Sequence, residues 1–166
     1  MINTSSAHRA ARAQGTALVP FRTALRWPAA LGLVTTAVVH VPLVGPHLEE
    51  APYVGCLFIA LAAACLVLAG GLVLRDNLLI WAMAGFTCLL AVAAYLLSRT
   101  VGLPQIGDDI GDWADPLGIT ALAAESLTVL LAATAVLRTL TRPRTVGDGP
   151  RVTSARVPVD ESSSAV

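Results

Sequence analysis

Glu125 and His40 are the ionisable residues that lie deep inside otherwise apolar runs of this sequence. On a helix of 3.6 residues per turn, Glu125 shares one face with small residues, which allow membrane helices to pack closely. A carboxylate on such a face is costly in lipid and is a candidate proton or ligand site. The alternative is a protonated or hydrogen-bonded glutamate that only holds helices together. The other residues on that face are Gly118, Ala121, Thr128, Ala132 and Ala135.

His40 also has two interpretations. Pro42 lacks a backbone N–H and leaves the carbonyl of Val38 without a partner, so we expect a kink and an imidazole that bonds to a freed carbonyl. The alternative is a ligand or proton-relay role. His40 lies about 10 Å from the outer end of its apolar run and Glu125 about 12 Å, so a hydrogen bond between them is geometrically feasible. The sequence leaves open whether their helices turn these residues toward each other.

The segment HLEE adds a weak candidate metal site. His47 follows His40 on the same helical face, and with Glu50 and one loop aspartate these side chains would suit zinc or a similar ion. The spacing matches no established zinc motif. The sequence therefore leaves the metal assignment open.

The polar segment SRTVGLPQIGDDIGDWADPLG separates the last two apolar runs. Arg99 is expected to pair with an acidic loop residue or with Glu125, and substrate contact is the alternative. The aspartate spacing differs from that of a calcium-binding EF-hand loop, so a solvated acidic surface is the alternative to a binding site. The candidate functional residues of this loop, besides Arg99, are Asp108, Asp109, Asp112, Trp113 and Asp115.

Several kinds of chemistry are disfavoured by the composition. The sequence has no nucleotide-binding, zinc-hydrolase or nucleophile-elbow motif, and its three cysteines form no CxxC pair. We interpret the cysteines as small buried residues, predict no cofactor and lean against an enzyme. The formal net charge is zero, which does not favour nucleic acid as a partner.

Four apolar stretches must position these residues. The sequence is 55% hydrophobic and only 13% charged, against about 25% charged residues in a typical soluble domain. Each stretch has the length needed to cross a hydrocarbon core of roughly 30 Å, and in lipid the backbone must be helical. We therefore predict an all-α integral membrane bundle over residues 28–137, with an outer loop at 98–116. The predicted transmembrane helices are about 28–46, 53–74, 78–97 and 117–137.

The basic residues predict the orientation. Ten of the eleven arginines lie in the two tails or in the turn between the second and third apolar stretches, and Arg99 is the exception. By the positive-inside rule both termini are cytoplasmic and the HLEE turn and the loop face outward. The basic tail 1–27 and the Pro/Ser/Thr-rich tail 138–166, predicted to be disordered, would then lie in the cytoplasm.

One combination of segments resembles a known group of proteins. HVPLVGPHLEEAPYVGCLF together with SRTVGLP, DWADPLG and Glu125 is similar to uncharacterised four-span bacterial inner-membrane proteins. The similarity covers roughly residues 28–137 and implies that the HLEE turn, the loop and Glu125 form one unit. It implies a multi-pass protein of the bacterial plasma membrane and no particular activity.

These observations lead to two functional hypotheses. The first is a non-enzymatic membrane protein with a polar site at its extracytoplasmic end, where it binds an ion, a small ligand or a partner subunit. The second is an oligomeric transporter or proton-coupled component in which Glu125 changes protonation, because four helices alone rarely enclose a pathway. The expected partners are the lipid bilayer and either further copies of this chain or another membrane subunit.

Overall fold

The computed structural model describes residues 24–141, which fold into four long helices. Within this range there is no strand, only one isolated β-bridge between Leu103 and Ile106 and a single 3-10 turn at Gly107–Asp109. All four helices are long and apolar enough to cross a membrane. The prediction of an all-α, four-helix bundle is confirmed. The helices are α1 (Arg26–Glu50), α2 (Pro52–Leu74), α3 (Leu78–Thr100) and α4 (Pro116–Thr141).

Several helices extend beyond the predicted transmembrane segments. Helix α1 continues through Pro42 and Pro46 to Glu50 rather than ending at residue 46. Similarly, α3 reaches Thr100 and α4 reaches Thr141. The predicted ends followed the loss of apolar residues, whereas helical hydrogen bonding does not need an apolar environment and continues into the polar segments.

The two predicted cytoplasmic tails fall largely outside the described residues. Where the structure does describe their edges, at 26–27 and 138–141, the chain is helical. The assignment of residues 1–23 and 142–166 to basic and disordered tails lies outside the described range.

Short connections make consecutive helices antiparallel. Helices α1 and α2 are joined at Ala51, α2 and α3 at residues 75–77, and α3 and α4 by residues 101–115. Helix α1 packs on α2 and α4, and α3 packs on α4 and less extensively on α2, which closes the bundle. We call the end with Ala51 and residues 101–115 the loop end, and the end with residues 75–77 the turn end.

Small side chains fill most of the bundle and large apolar side chains cover its outside. Trp81, Leu33 and Leu72 are the large residues of the core, and most of their buried neighbours are alanines. Many leucines and valines are exposed, among them Leu31, Val67, Leu74 and Leu130. Small residues at the helix contacts and apolar residues outside are typical of helices packed in lipid.

The turn end contains a buried polar contact that the sequence did not suggest. Trp81 Nε1 donates a hydrogen bond of 2.6 Å to Asp76 Oδ1. Asn77 is the N-cap of α3, and its side chain accepts from the backbone N–H of Ile80 at 3.1 Å. The buried indole therefore has its hydrogen-bond partner, and the turn between α2 and α3 is fixed to the core.

Candidate functional site

His40 and Glu125 face each other across the contact between α1 and α4. The distance from His40 Nε2 to Glu125 Oε1 is 3.9 Å, and the two residues are only 6% and 2% exposed. From the observed helix ends, His40 lies about 15 Å and Glu125 about 13 Å from the loop end. The structure thus places the two residues side by side at similar depth and answers the question that the sequence left open, whether their helices turn them toward each other.

Close packing of α1 and α4 brings this pair together. A Cβ atom on Gly32 would lie 2.5 Å from Thr128 Oγ1 and 3.2 Å from the Ala124 carbonyl oxygen, so the helices are in direct contact there. The small-residue face predicted for α4 is buried along its length. Its members are Gly118, Ala121, Glu125, Thr128, Ala132 and Ala135.

The hydrogen bonds of this region orient His40. Its Nδ1 lies 2.8 Å from the Thr36 carbonyl oxygen and acts as the donor, which leaves Nε2 directed toward Glu125. The expected bond to the carbonyl of Val38 is therefore not the one that forms. Helical side chains point back toward the N-terminus, and the imidazole reaches the carbonyl four residues earlier.

Two buried polar atoms near the pair have no hydrogen-bond partner among the described residues. They are Oε1 of Glu125 and Oγ1 of Thr36. An unsatisfied buried polar atom normally costs about 1–3 kcal/mol, so each needs a functional or structural explanation. Glu125 Oε1 is the atom that faces His40 Nε2, and the 3.9 Å between them is longer than a hydrogen bond.

Helices α2 and α3 complete the polar region with two cysteines. Cys65 and Cys88 are fully buried, and their free thiols lie beside each other. Cys88 also lies beside the Thr128 hydroxyl, with Glu125 near both thiols. The interpretation of the three cysteines as small buried residues is right for these two and wrong for Cys56, which lies on the outer face of α2 and is exposed. The contact between Cys65 and Cys88 was not predictable from one helix at a time. We call Thr36, His40, Cys65, Cys88, Glu125 and Thr128 the central cluster.

Phe58 links the central cluster to His47. Its ring makes edge contacts with both imidazoles, with centroids 5.0 Å from His40 and 4.9 Å from His47. His47 is only half-buried and Glu50 is exposed. Within residues 24–141 no group of three or more histidine, cysteine, aspartate or glutamate residues could hold a metal ion. His40, His47 and Glu50 are therefore not brought together as a metal site.

Arg99 attaches the loop to the bundle. Arg99 is only 8% exposed, and its charge is paired: Nη1 lies 2.7 Å from Asp109 Oδ1, and Nη2 lies 3.7 Å from Asp115 Oδ2. Nη1 also donates to the Asp109 carbonyl, and the guanidinium lies over the Tyr95 ring. Of the partners that the sequence allowed, Arg99 contacts the loop aspartates rather than Glu125.

Asp115 has a structural role that sequence analysis missed. Its two carboxylate oxygens accept hydrogen bonds from the backbone N–H groups of Leu117 and Gly118, at 3.1 and 2.9 Å. Aspartate followed by proline is a typical helix start, and Asp115–Pro116 therefore carried the signal. This residue caps α4 and at the same time lies against Arg99.

The remaining loop candidates are at the surface. Asp108 and Asp112 are exposed, and Trp113 is 47% exposed with its ring at the edge of Tyr95. The structure does not bring these three side chains to the central cluster. The underside of the loop is apolar, where Ile106 packs with Ala51, Val54, Leu103 and Phe58.

The bundle and its buried polar cluster define a multi-pass α-helical membrane protein with four candidate spans. Comparison with protein-family models, curated proteins and solved structures gave no significant match. The resemblance to four-span bacterial inner-membrane proteins therefore stays a prediction.

Proposed function

We propose that this is a non-enzymatic, multi-pass protein of the bacterial plasma membrane that binds an ion at a polar site in the loop half of its bundle. The ion is a proton held by His40 and Glu125. The observation that supports this most directly is the 3.9 Å approach of His40 Nε2 to a Glu125 oxygen without a hydrogen-bond partner. Both groups are nearly inaccessible to water in the folded chain.

Electrostatics favours one shared proton. A lone charge at this depth costs at least roughly 2.5–3.5 kcal/mol on insertion scales, so a net neutral pair is the stable form. Because His40 Nδ1 already donates to Thr36, only Nε2 can take up a further proton. The proton is held either on the Glu125 carboxyl or on His40 Nε2. At 3.9 Å an ion pair lacks a hydrogen bond, and we expect the carboxyl to hold the proton.

Infrared spectroscopy of the reconstituted protein tests this directly. At neutral pH the wild type should show the C=O stretch of a protonated carboxyl group, and Glu125→Gln should remove it while keeping the fold, since glutamine resembles the protonated acid in shape and charge. Asp76→Asn, at the other nearly fully buried carboxylate, is the matched control and should leave the Glu125 band in place.

A wild-type spectrum without this band, or a band unchanged in Glu125→Gln, would refute proton binding at Glu125. The same variant separates binding from the second hypothesis, proton-coupled transport by an oligomer. Transport is supported if proton flux into vesicles containing the wild-type protein is lost in Glu125→Gln. Without flux, binding remains the function.

We propose further that the loop end faces away from the cytoplasm. Arg75 lies at the turn end and Arg138 near the same end of α4, whereas Arg99 at the loop end is paired with aspartates. A periplasm-dependent reporter inserted beside the exposed Asp112 should be active, and the same reporter fused after Val166 should be inactive. The reverse pattern would show that the site opens toward the cytoplasm.

A further inference from the structure

We infer that protons reach the His40–Glu125 pair from the loop end by way of His47, and that the ring of Phe58 is the barrier on this route. The inference rests on the proposed proton site. It assigns a role to two residues, His47 and Phe58, that proton binding alone does not require.

His47 and His40 are two proton-accepting side chains placed one after the other along α1. They are seven residues apart, which is about two turns and about 10 Å of rise, and therefore lie on one face. His40 Nδ1 lies 2.8 Å from the Thr36 carbonyl oxygen, and His47 Nδ1 lies 2.8 Å from the Leu43 carbonyl oxygen, in each case four residues earlier. With both Nδ1–H groups engaged, each ring exchanges protons through Nε2. His47 is half-buried, whereas His40 is 6% exposed.

Phe58 lies between the two imidazole rings. The centroid of the Phe58 ring is 5.0 Å from that of His40 and 4.9 Å from that of His47. Each distance is about half of the rise of about 10 Å between the two histidines, so the Phe58 ring lies near the midpoint between the imidazoles. An apolar ring at that position keeps a continuous chain of water molecules from joining His47 to His40. Proton transfer then requires the Phe58 side chain to move. Its packing against Ile106 and Leu103 connects that movement to the loop.

The other end of the bundle offers no comparable route among the described residues. Between the central cluster and the turn end the core is apolar, with Ala29, Leu33, Leu72 and Trp81 packed together. From α2 and α3 the titratable groups facing the pair are the thiols of Cys65 and Cys88, both fully buried. Toward the loop end, by contrast, His47 is followed within one turn by the exposed Glu50.

The rate of hydrogen–deuterium exchange at the Glu125 carboxyl tests this route. After transfer of the reconstituted protein to D2O, the C=O band shifts to lower frequency as the carboxyl proton is replaced. Phe58→Ala should accelerate this shift by about tenfold or more, as expected when a conformational barrier is removed. His47→Gln, which keeps a polar side chain but cannot relay a proton, should slow it.

Two controls separate the route from general loosening of the bundle. Phe58→Leu retains most of the apolar volume and should stay within about twofold of the wild-type rate. Phe86→Ala removes an exposed ring of α3 and should leave the rate unchanged. Equal rates in Phe58→Ala and wild type, or no slowing in His47→Gln, would overturn the route alone. A wild type without a Glu125 carboxyl band would overturn the proton site as well.

Discussion

Replacing Gly32 with leucine should force α1 away from α4 and destabilise the bundle by about 1–3 kcal/mol, the usual cost of overpacking. Even a Cβ at this position would lie 2.5 Å from Thr128 Oγ1 and 3.2 Å from the Ala124 carbonyl oxygen. The Thr128 hydroxyl is a side-chain group, but the Ala124 carbonyl belongs to the backbone and cannot rotate away, and a leucine side chain extends well beyond its Cβ. The helices themselves must therefore separate.

Gly70→Leu is the matched control for this prediction. A Cβ on Gly70 of α2 has no other atom within 4 Å, so the substitution enters open space. Both substitutions gain the same helix propensity, and their difference isolates the contact between α1 and α4. The measurement is the free energy of unfolding in mixed micelles. Equal stability of the two variants would show that α1 and α4 are not in close contact at Gly32.

The same substitution should also disturb the proton site. His40 lies two turns beyond Gly32 on the contact face of α1, so separation of the helices widens the gap to Glu125. A more accessible carboxyl would exchange its proton faster and, once hydrated, would ionise at neutral pH. We therefore expect the infrared band of Glu125 to weaken in Gly32→Leu and to persist in Gly70→Leu.

The number of helices and the buried face of α4 were predictable because each depends on the sequence of one segment. Apolar length predicts a span, and the small residues around Glu125 recur with the helical period. The positions of the helix ends were less predictable. Helix α1 continues into polar sequence as far as Glu50, and α4 as far as Thr141. The hydrogen bonds that extend these helices join backbone N–H and C=O groups, which polar and apolar residues share.

How the helices face one another was not predictable. Helix α2 is apolar around its whole circumference, so nothing in its pattern indicates that Phe58 and Cys65 point inward while Cys56 points outward. The facing of His40 toward Glu125 and of Cys65 toward Cys88 depends on helix rotation, which is set by contacts with other segments. His40 and Glu125 were therefore predictable as functional candidates, whereas the contact between Cys65 and Cys88 and the packing of Phe58 against both imidazoles were not.

The loop illustrates a different limit of sequence analysis. Four aspartates in one segment looked equivalent, but only Asp109 and Asp115 contact Arg99, whereas Asp108 and Asp112 are exposed. Their roles differ because the chain reverses within the loop, with Gly111 N–H donating to the Arg99 carbonyl at 3.0 Å. Asp109 and Asp115 are therefore best understood as the residues through which Arg99 holds the loop 101–115 in place, with Ile106 and Leu103 of that loop packed against Phe58.

Replacing Arg99 with leucine is expected to release the loop 101–115 from the end of the bundle. The variant leaves Asp109 and Asp115 without their cation, and because both acids are roughly a quarter exposed we expect a cost of about 2–3 kcal/mol, below that of a fully buried pair. Arg99→Lys should lie between leucine and wild type, since the compact ammonium keeps the charge but lacks the planar fork with which Nη1 and Nη2 of the guanidinium reach Asp109 and Asp115 separately. Arg75→Leu, at an exposed arginine of the turn end, should be nearly neutral.

Two measurements separate loss of the loop from loss of the whole fold. Limited proteolysis should cut Arg99→Leu within residues 101–115 much faster than wild type, and unfolding in micelles should report the lower stability. Because Ile106 of the loop packs with Phe58, a released loop also frees the barrier, and the Glu125 carboxyl should exchange faster in this variant. Faster cleavage with unchanged exchange would mean that the loop covers the bundle end without controlling access to His40 and Glu125. Unchanged cleavage would show that Arg99 does not hold the loop.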